Sequence, residues 1–198
     1  MTDDLKHQQR MQSRKKVMDA KIAKSTEERG VFILLKGTGK GKSSSAFGTM
    51  ARSVGHGKRC AVIQFTKGRM ETGEYKFFND HPLVDWHVMG HGFTWETQDK
   101  SQDIAAAQKA WALAETLLND SSYDMLVFDE IGYMFKYGYL EAAPVIQAIK
   151  NRPKMQNVIM TGRTMVTSIQ DIADTISVVQ DERHAFRLGV KAQQGIEY

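Results

Sequence analysis

The fold is decided by one stretch. It runs Val31-Phe32-Ile33-Leu34-Leu35, Lys36, Gly37-Thr38-Gly39-Lys40-Gly41-Lys42-Ser43-Ser44, then Ser45-Ala46-Phe47-Gly48-Thr49-Met50-Ala51. A short β-branched and aromatic run, a glycine-rich segment and a small-residue helix opening on Lys-Ser read as strand, phosphate-binding loop and helix. Gly37, Gly39 and Gly41 are expected to let main-chain N–H groups turn inward around phosphate oxygens at the positive end of the helix. Lys42 supplies a compact charge to the same phosphates, and the Ser43 hydroxyl is a ligand for the Mg²⁺ that accompanies them. Thr38, Lys40 and Ser44 complete the nucleotide-binding loop. The strict spacing wants glycine at position 36, where Lys36 stands, so the loop is a variant one or carries an extra cation.

Working outward, the chain alternates strands and helices. Gly55-His56-Gly57-Lys58 turns into a strand from Cys60 to Phe65, a short helical piece covers Glu74 to Asn79, and a third strand runs Val84 to Met89. An alanine- and leucine-rich helix from Ile104 to Leu118 carries Trp111 on its apolar face and closes at Asn119-Asp120-Ser121-Ser122. Later elements are a helix over Leu140 to Lys150 and strands over Asn157 to Thr161 and Ile176 to Val179, followed by a polar tail from His184 to Tyr198. Such alternation predicts an α/β, P-loop NTPase-like (RecA-like) fold: a mostly parallel sheet with helices on both faces.

The buried run Met125-Leu126-Val127-Phe128 ends in Asp129-Glu130. In a sheet of this kind ligands sit at the carboxyl ends of strands, so these two acids pair with the upstream loop as a Walker B site. One of them holds Mg²⁺, or Mn²⁺ in its place, opposite Ser43, either directly or through water. Lys42, Ser43 and Glu130 are the candidate catalytic residues; Ser43, Asp129 and Glu130 are the candidate metal ligands. Thr161-Gly162-Arg163 forms a second polar strand end at the same rim, where Arg163 can reach the phosphates or serve in a structural ion pair.

Composition sets the limits. The 198 residues are 41% hydrophobic, with 25% charged and a formal net charge of +4, an ordinary globular balance. The first thirty residues hold eight basic side chains against five acidic ones, so most of the surplus sits in residues 1–29. We read these as a basic helical arm with Met11, Met18 and Ile22 at helical spacing, and residues 30–198 as the α/β domain. The arm lacks the interleaved aromatics that would favour nucleic acid. No apolar run approaches membrane-spanning length, and the polar start from Thr2 onward does not read as a secretory signal. The single cysteine, Cys60, excludes an intrachain disulfide and suits the cytoplasm.

Two aromatics stand out in the loop Met89-Gly90-His91-Gly92-Phe93-Thr94-Trp95-Glu96-Thr97-Gln98-Asp99. Large apolar side chains between glycines and polar residues either anchor the loop to the core or offer a wall for a flat ligand.

With these pieces in place the chain resembles the CobA-type ATP:corrinoid adenosyltransferases along nearly its whole length. The motifs that carry the resemblance are the loop itself, Ala46-Phe47-Gly48, Val54-Gly55-His56-Gly57-Lys58, Gln64-Phe65-Thr66-Lys67-Gly68, Gly92-Phe93-Thr94-Trp95-Glu96-Thr97-Gln98, Asp120-Ser121-Ser122, Asp129-Glu130, Thr161-Gly162-Arg163, Ala173-Asp174-Thr175 and Gly189 to Tyr198. The resemblance implies transfer of the 5′-deoxyadenosyl group of ATP to the Co(I) of a corrinoid, with inorganic triphosphate released. It also implies that Phe93 and Trp95 bind the lower face of the corrin, that the enzyme is a homodimer whose N-terminal helix lids the site, and that a reduced flavodoxin-type protein donates the electron. Departures are Thr38 for asparagine, Ser43-Ser44 for two threonines, Lys36 for threonine, Gly138 for an acid, and the stretch Thr164 to Ser168. Two alternatives stand beside this reading: a RecA-like ATPase acting on nucleic acid, and a corrinoid- and ATP-binding paralogue without catalysis.

Overall fold

The computed structural model describes residues 3–66, 71–89 and 100–198. Its centre is a sheet of six strands: β1 Phe32–Lys36, β2 Cys60–Gln64, β3 Val84–Val88, β4 Met125–Asp129, β5 Asn157–Gly162 and β6 Thr175–Val178. Their spatial order is β3-β2-β4-β5-β1-β6, and every neighbouring pair is parallel. Parallel strands need long crossovers, which helices supply. These helices are α1 Asp3–Lys24, α2 Lys42–Gly55, α3 Gly73–Phe78, α4 Lys100–Asn119, α5 Gly132–Lys136, α6 Ala142–Asn151 and α7 Thr167–Gln170, with a 3₁₀ turn at Ala185–Leu188.

Because both faces are covered, the inner strands read as unbroken apolar runs whose side chains part alternately to two cores. On β4, Leu126 and Phe128 join Trp111, Leu118, Val145 and Ile149 on one face. Met125 and Val127 join Ala46, Phe47 and Met50 of α2 on the other. Trp86 of β3 gathers rings on this second face, with centroids 4.9 Å from Phe47, 6.0 Å from Tyr75 and 6.4 Å from Phe78. Such tilted and offset pairs add to the area they bury.

The expected α/β sheet is present, and the differences lie at its margins. The last strand begins at Thr175, and all four of its residues are exposed because β6 is an edge. The short helices α5 and α7 have too few turns to show a period in the sequence. No residue of α1 is buried, while Met11, Met18 and Ile22 are exposed. Arg29, just beyond the helix, forks onto Asp174 at 2.6 and 2.7 Å, and Asp174 also accepts the Phe32 N–H at 2.8 Å. That bidentate contact ties the entry to β1 to the strand beside it, and it holds Asp174 below the usual carboxylate range. No helix among the described residues is long and apolar enough to cross a membrane.

Cys60 begins β2, fully buried on the α2 side, and burial pushes its thiol up to about 12. A thiol reagent at pH 8 is therefore expected to leave the folded protein unmodified and to label one thiol after denaturant unfolding. Rapid labelling of the folded protein would contradict this placement.

Candidate nucleotide site

A cavity of about 690 Å³ opens at the carboxyl end of the sheet, above β1, β4 and β5, within the range of small-ligand sites. The loop residues Thr38 to Ser44, together with Asp129, Glu130 and Arg163, line it. The nucleotide and metal candidates expected from the sequence, Gly37 apart, thus meet in one space.

Gly41 caps α2 at φ 115°, with no side chain satisfying the helix start. The Ser45 N–H closes the first helical turn onto the Gly41 carbonyl at 2.9 Å. The amides of Lys42, Ser43 and Ser44 are therefore the ones without an intrahelical acceptor, the arrangement that binds anions. Gly37 and Gly39 do a different job from the one expected. Their N–H groups are spent on the protein, Gly37 reaching the carbonyls of Gly162 and Arg163 at 3.3 and 3.2 Å and Gly39 that of Val179 at 2.8 Å. A Cβ at Gly37 would stand 2.3 Å from the Val179 carbonyl oxygen, and one at Gly39 2.4 Å from that of Gln180. These two glycines let the loop lie against the chain leaving β6, so their role as inward-facing amide donors is corrected.

Lys42 is buried, and its Nζ donates to the Gly39 carbonyl at 2.8 Å. Burial lowers its pKa, with Arg163 acting the same way and Glu130 and Asp129 opposing. Lys36 is turned away: its Nζ donates to the Gln170 side chain beside β1, and it is absent from the described residues lining the cavity. The extra-cation alternative therefore does not apply at that position.

Asp129 is buried at the end of β4. Thr161 Oγ1 donates to its Oδ1 at 2.8 Å and Gln64 Nε2 to its Oδ2 at 3.3 Å, and the nearby Ser43 side chain also favours its charged form. Burial raises the Asp129 pKa and these donors oppose the rise. Glu130 follows at φ 57°, alone among the described non-glycine residues in the left-handed region, a conformation that costs about 1–2 kcal/mol. Its N–H donates to Thr161 Oγ1 at 2.8 Å. One hydroxyl thus holds both acids. Glu130 Oε2 is buried and has no hydrogen-bond partner among the described residues. Burial and the Asp129 charge push the Glu130 carboxyl up to about 7, against Lys42 and Arg163.

The Ser43 hydroxyl, the Asp129 carboxylate and the orphaned Glu130 oxygen form a set of hard oxygen donors that fits Mg²⁺ or Mn²⁺. Among the described residues no cluster of three or more His, Cys, Asp or Glu occurs.

Several residues in or just beneath the cavity received no role from the sequence. Gln64 bridges Asp129 and Trp86, whose indole N–H it accepts at 3.0 Å. Thr161 looked like a strand end. Ile196, Glu197 and Tyr198 of the tail also wall the cavity; their place in the quoted motifs was the only available sign. Phe93, Trp95 and His91 lie outside the described residues.

The parallel sheet, the loop after β1 and the acids after β4 define a P-loop nucleotide-binding protein. A family model described as "ATP:corrinoid adenosyltransferase BtuR/CobO/CobP" matches residues 28–198. The chain is 48% identical over 196 residues to the corrinoid adenosyltransferase of Pseudomonas aeruginosa, covering 98% of this chain and 97% of that one. It is 47% identical over 195 residues to the corrinoid adenosyltransferase CobA of Salmonella typhimurium, covering 98% and 99%, and 46% identical over 195 residues to that of Escherichia coli K12, again covering 98% and 99%. The chain belongs to the ATP:corrinoid adenosyltransferase family.

Thr161→Val removes the donor to Asp129 and the acceptor for the Glu130 N–H while keeping the shape. Denaturant unfolding should show a loss of about 1–3 kcal/mol, with weaker ATP binding, and Thr161→Ser should restore most of both. A Thr161→Val protein with unchanged stability and ATP affinity would contradict the bridging role.

Proposed function

We propose that this protein transfers the 5′-deoxyadenosyl group of ATP to the Co(I) of a corrinoid, releasing triphosphate. The observation that carries the reading is the joint presence, in one cavity, of the open helix start at Gly41, buried Lys42 and the acid pair Asp129 and Glu130, in a chain of this family. Co(I) attacks the 5′ carbon; the Co–C bond forms as the C–O bond to the triphosphate breaks, and the electron pair of that bond leaves with the triphosphate. Negative charge therefore grows on the leaving group and not on a water or an acyl oxygen. Amides of the first turn of α2, the Lys42 ammonium and the Arg163 guanidinium are the groups that would stabilise it.

Ser43, Asp129 and Glu130 would hold Mg²⁺ or Mn²⁺, which when bound neutralises polyphosphate charge. The unpaired Glu130 oxygen supports this assignment. The apolar side of the cavity, with Phe47, Phe77 and Phe78, suits the nucleoside end of ATP. Phe93 and Trp95 are assigned to the lower corrin face on the strength of their motif. Excluding an axial ligand from Co(II) there makes its reduction to Co(I) easier.

A homodimer and a reduced flavodoxin-type donor belong to the same reading. Exposed Met11, Met18 and Ile22 on α1, a helix with no buried residue, support a subunit partner that covers them. A free, buried thiol at Cys60 suits the cytoplasm.

An anaerobic assay with Co(I) corrinoid, ATP and Mg²⁺ tests the reaction. Loss of the Co(I) absorbance should accompany formation of a photolabile product and one triphosphate, and Lys42→Ala should slow the transfer by about a hundredfold or more. Persistence of Co(I), or release of ADP and phosphate instead of triphosphate, would refute it. For the aromatic pair, Phe93→Ala with Trp95→Ala should abolish reduction of Co(II) corrinoid yet spare adenosylation of chemically prepared Co(I). Equal loss of both activities would argue against a role confined to the corrin face.

A further inference from the structure

The end of the chain forms a wall of the nucleotide cavity. Gly195, Ile196, Glu197 and Tyr198 line the same space as the P-loop. They close on themselves: the Gly195 N–H donates to the Tyr198 carbonyl at 2.7 Å, and the Ile196 and Glu197 N–H groups donate to the Gln193 carbonyl at 3.2 and 2.8 Å. A charged contact joins this turn to the loop, where Lys40 Nζ meets Glu197 Oε2 at 2.7 Å. Both side chains keep contact with solvent, Lys40 at 43% exposure and Glu197 at 29%, so the pair is separable at small cost. Gly195 and Tyr198 also border a neighbouring cavity of about 470 Å³ lined by Glu71 and Lys76. Gly195 and Tyr198 of this turn thus line both spaces.

The position of Lys40 makes this contact consequential. It lies inside the phosphate loop, between Gly39 and Gly41. A polyphosphate in the loop and the Glu197 carboxylate compete for one ammonium group, and a carboxylate left beside a polyphosphate is a like-charge contact. Among the anchors of the loop, the Gly39–Val179 and Lys42–Gly39 hydrogen bonds are internal to the fold. The Lys40–Glu197 pair instead joins the loop to the turn at Gly195 to Tyr198 through two solvent-contacting side chains.

We propose that Glu197 is a positioning residue for the loop. It holds Lys40 toward the terminal turn when the loop is empty and yields it to polyphosphate, so that the turn acts as a latch that ATP opens and departing triphosphate lets close. The inference rests on the reading of the loop as the seat of the ATP triphosphate. Its consequence is that Glu197 weakens polyphosphate binding and speeds release of the product.

Calorimetric titration of the full chain with inorganic triphosphate and Mg²⁺ tests this without using the transfer reaction. Glu197→Gln should bind triphosphate roughly three- to fivefold more tightly than the parent, and in a Lys40→Gln background the same change should be worth less than about twofold. In steady-state assays Glu197→Gln should lower the KM for ATP and strengthen product inhibition by triphosphate. Unchanged or weaker triphosphate binding by Glu197→Gln overturns the latch, as does a gain that persists in full without Lys40, since that would be bulk repulsion. A parent protein that binds neither triphosphate nor ATP overturns the seat of the triphosphate itself, and the latch with it.

Discussion

A buried carboxylate must be surrounded by donors, and Asp129 at the end of β4 is the group that imposes this condition on the rim of the sheet. Its oxygens accept from Thr161 of β5 and Gln64 of β2, and Ser43 at the start of α2 favours its charge. Together with β4 itself, these elements come from four separate parts of the chain. They can be satisfied together only if β2, β4 and β5 lie side by side in one register and α2 starts immediately above them, as the ladder places them. Leaving any such donor or acceptor unpaired inside the protein would cost about as much as several surface ion pairs are worth.

The same hydroxyl that serves Asp129 also holds the backbone of Glu130 in its left-handed turn. Strain at one residue is tolerated because its neighbours are fixed, and the result is a carboxylate oxygen kept buried with nothing to bond. An orphaned oxygen of this kind is expensive in an empty protein and valuable in one that binds a cation. Lys42 shows the complementary situation. Its charge is disfavoured by burial and becomes favourable when an anion arrives. The site stores unmet electrostatic demand of both signs, which a bound anion together with a cation would meet.

Packing and chemistry are connected through Trp86. Its rings stack within the second core, while its indole N–H reaches Gln64 and through it Asp129. Phe47 and Phe78 belong to that aromatic group and to the cavity wall. Core and ligand surface are therefore the two sides of one layer of side chains, and a change in the packing of α2 or α3 on β3 would be felt at the nucleotide.

Much of this was readable from local pattern. The run Val31 to Leu35, the glycines, Lys42-Ser43 and the run Met125 to Phe128 ending in Asp129-Glu130 determine strand, loop, helix and strand, because backbone freedom, apolar periodicity and hydrogen-bonding capacity are properties of adjacent residues. The family resemblance extended that reading to a reaction. What adjacency cannot express is who meets whom across the sheet. Gly37 and Gly39 looked like amide donors and are instead the places where β6's exit presses on the loop. Thr161 read as a polar strand end and Gln64 as one residue of a strand and motif, neither with a stated partner, while Lys36 left open a variant loop or an extra cation. Glu197, 157 residues beyond Lys40, looked like the end of a polar tail. Tertiary structure decided these four matters because contacts between distant segments depend on the order in which parallel strands are laid down, and the strand order β3-β2-β4-β5-β1-β6 is a property of the whole chain that no single stretch contains.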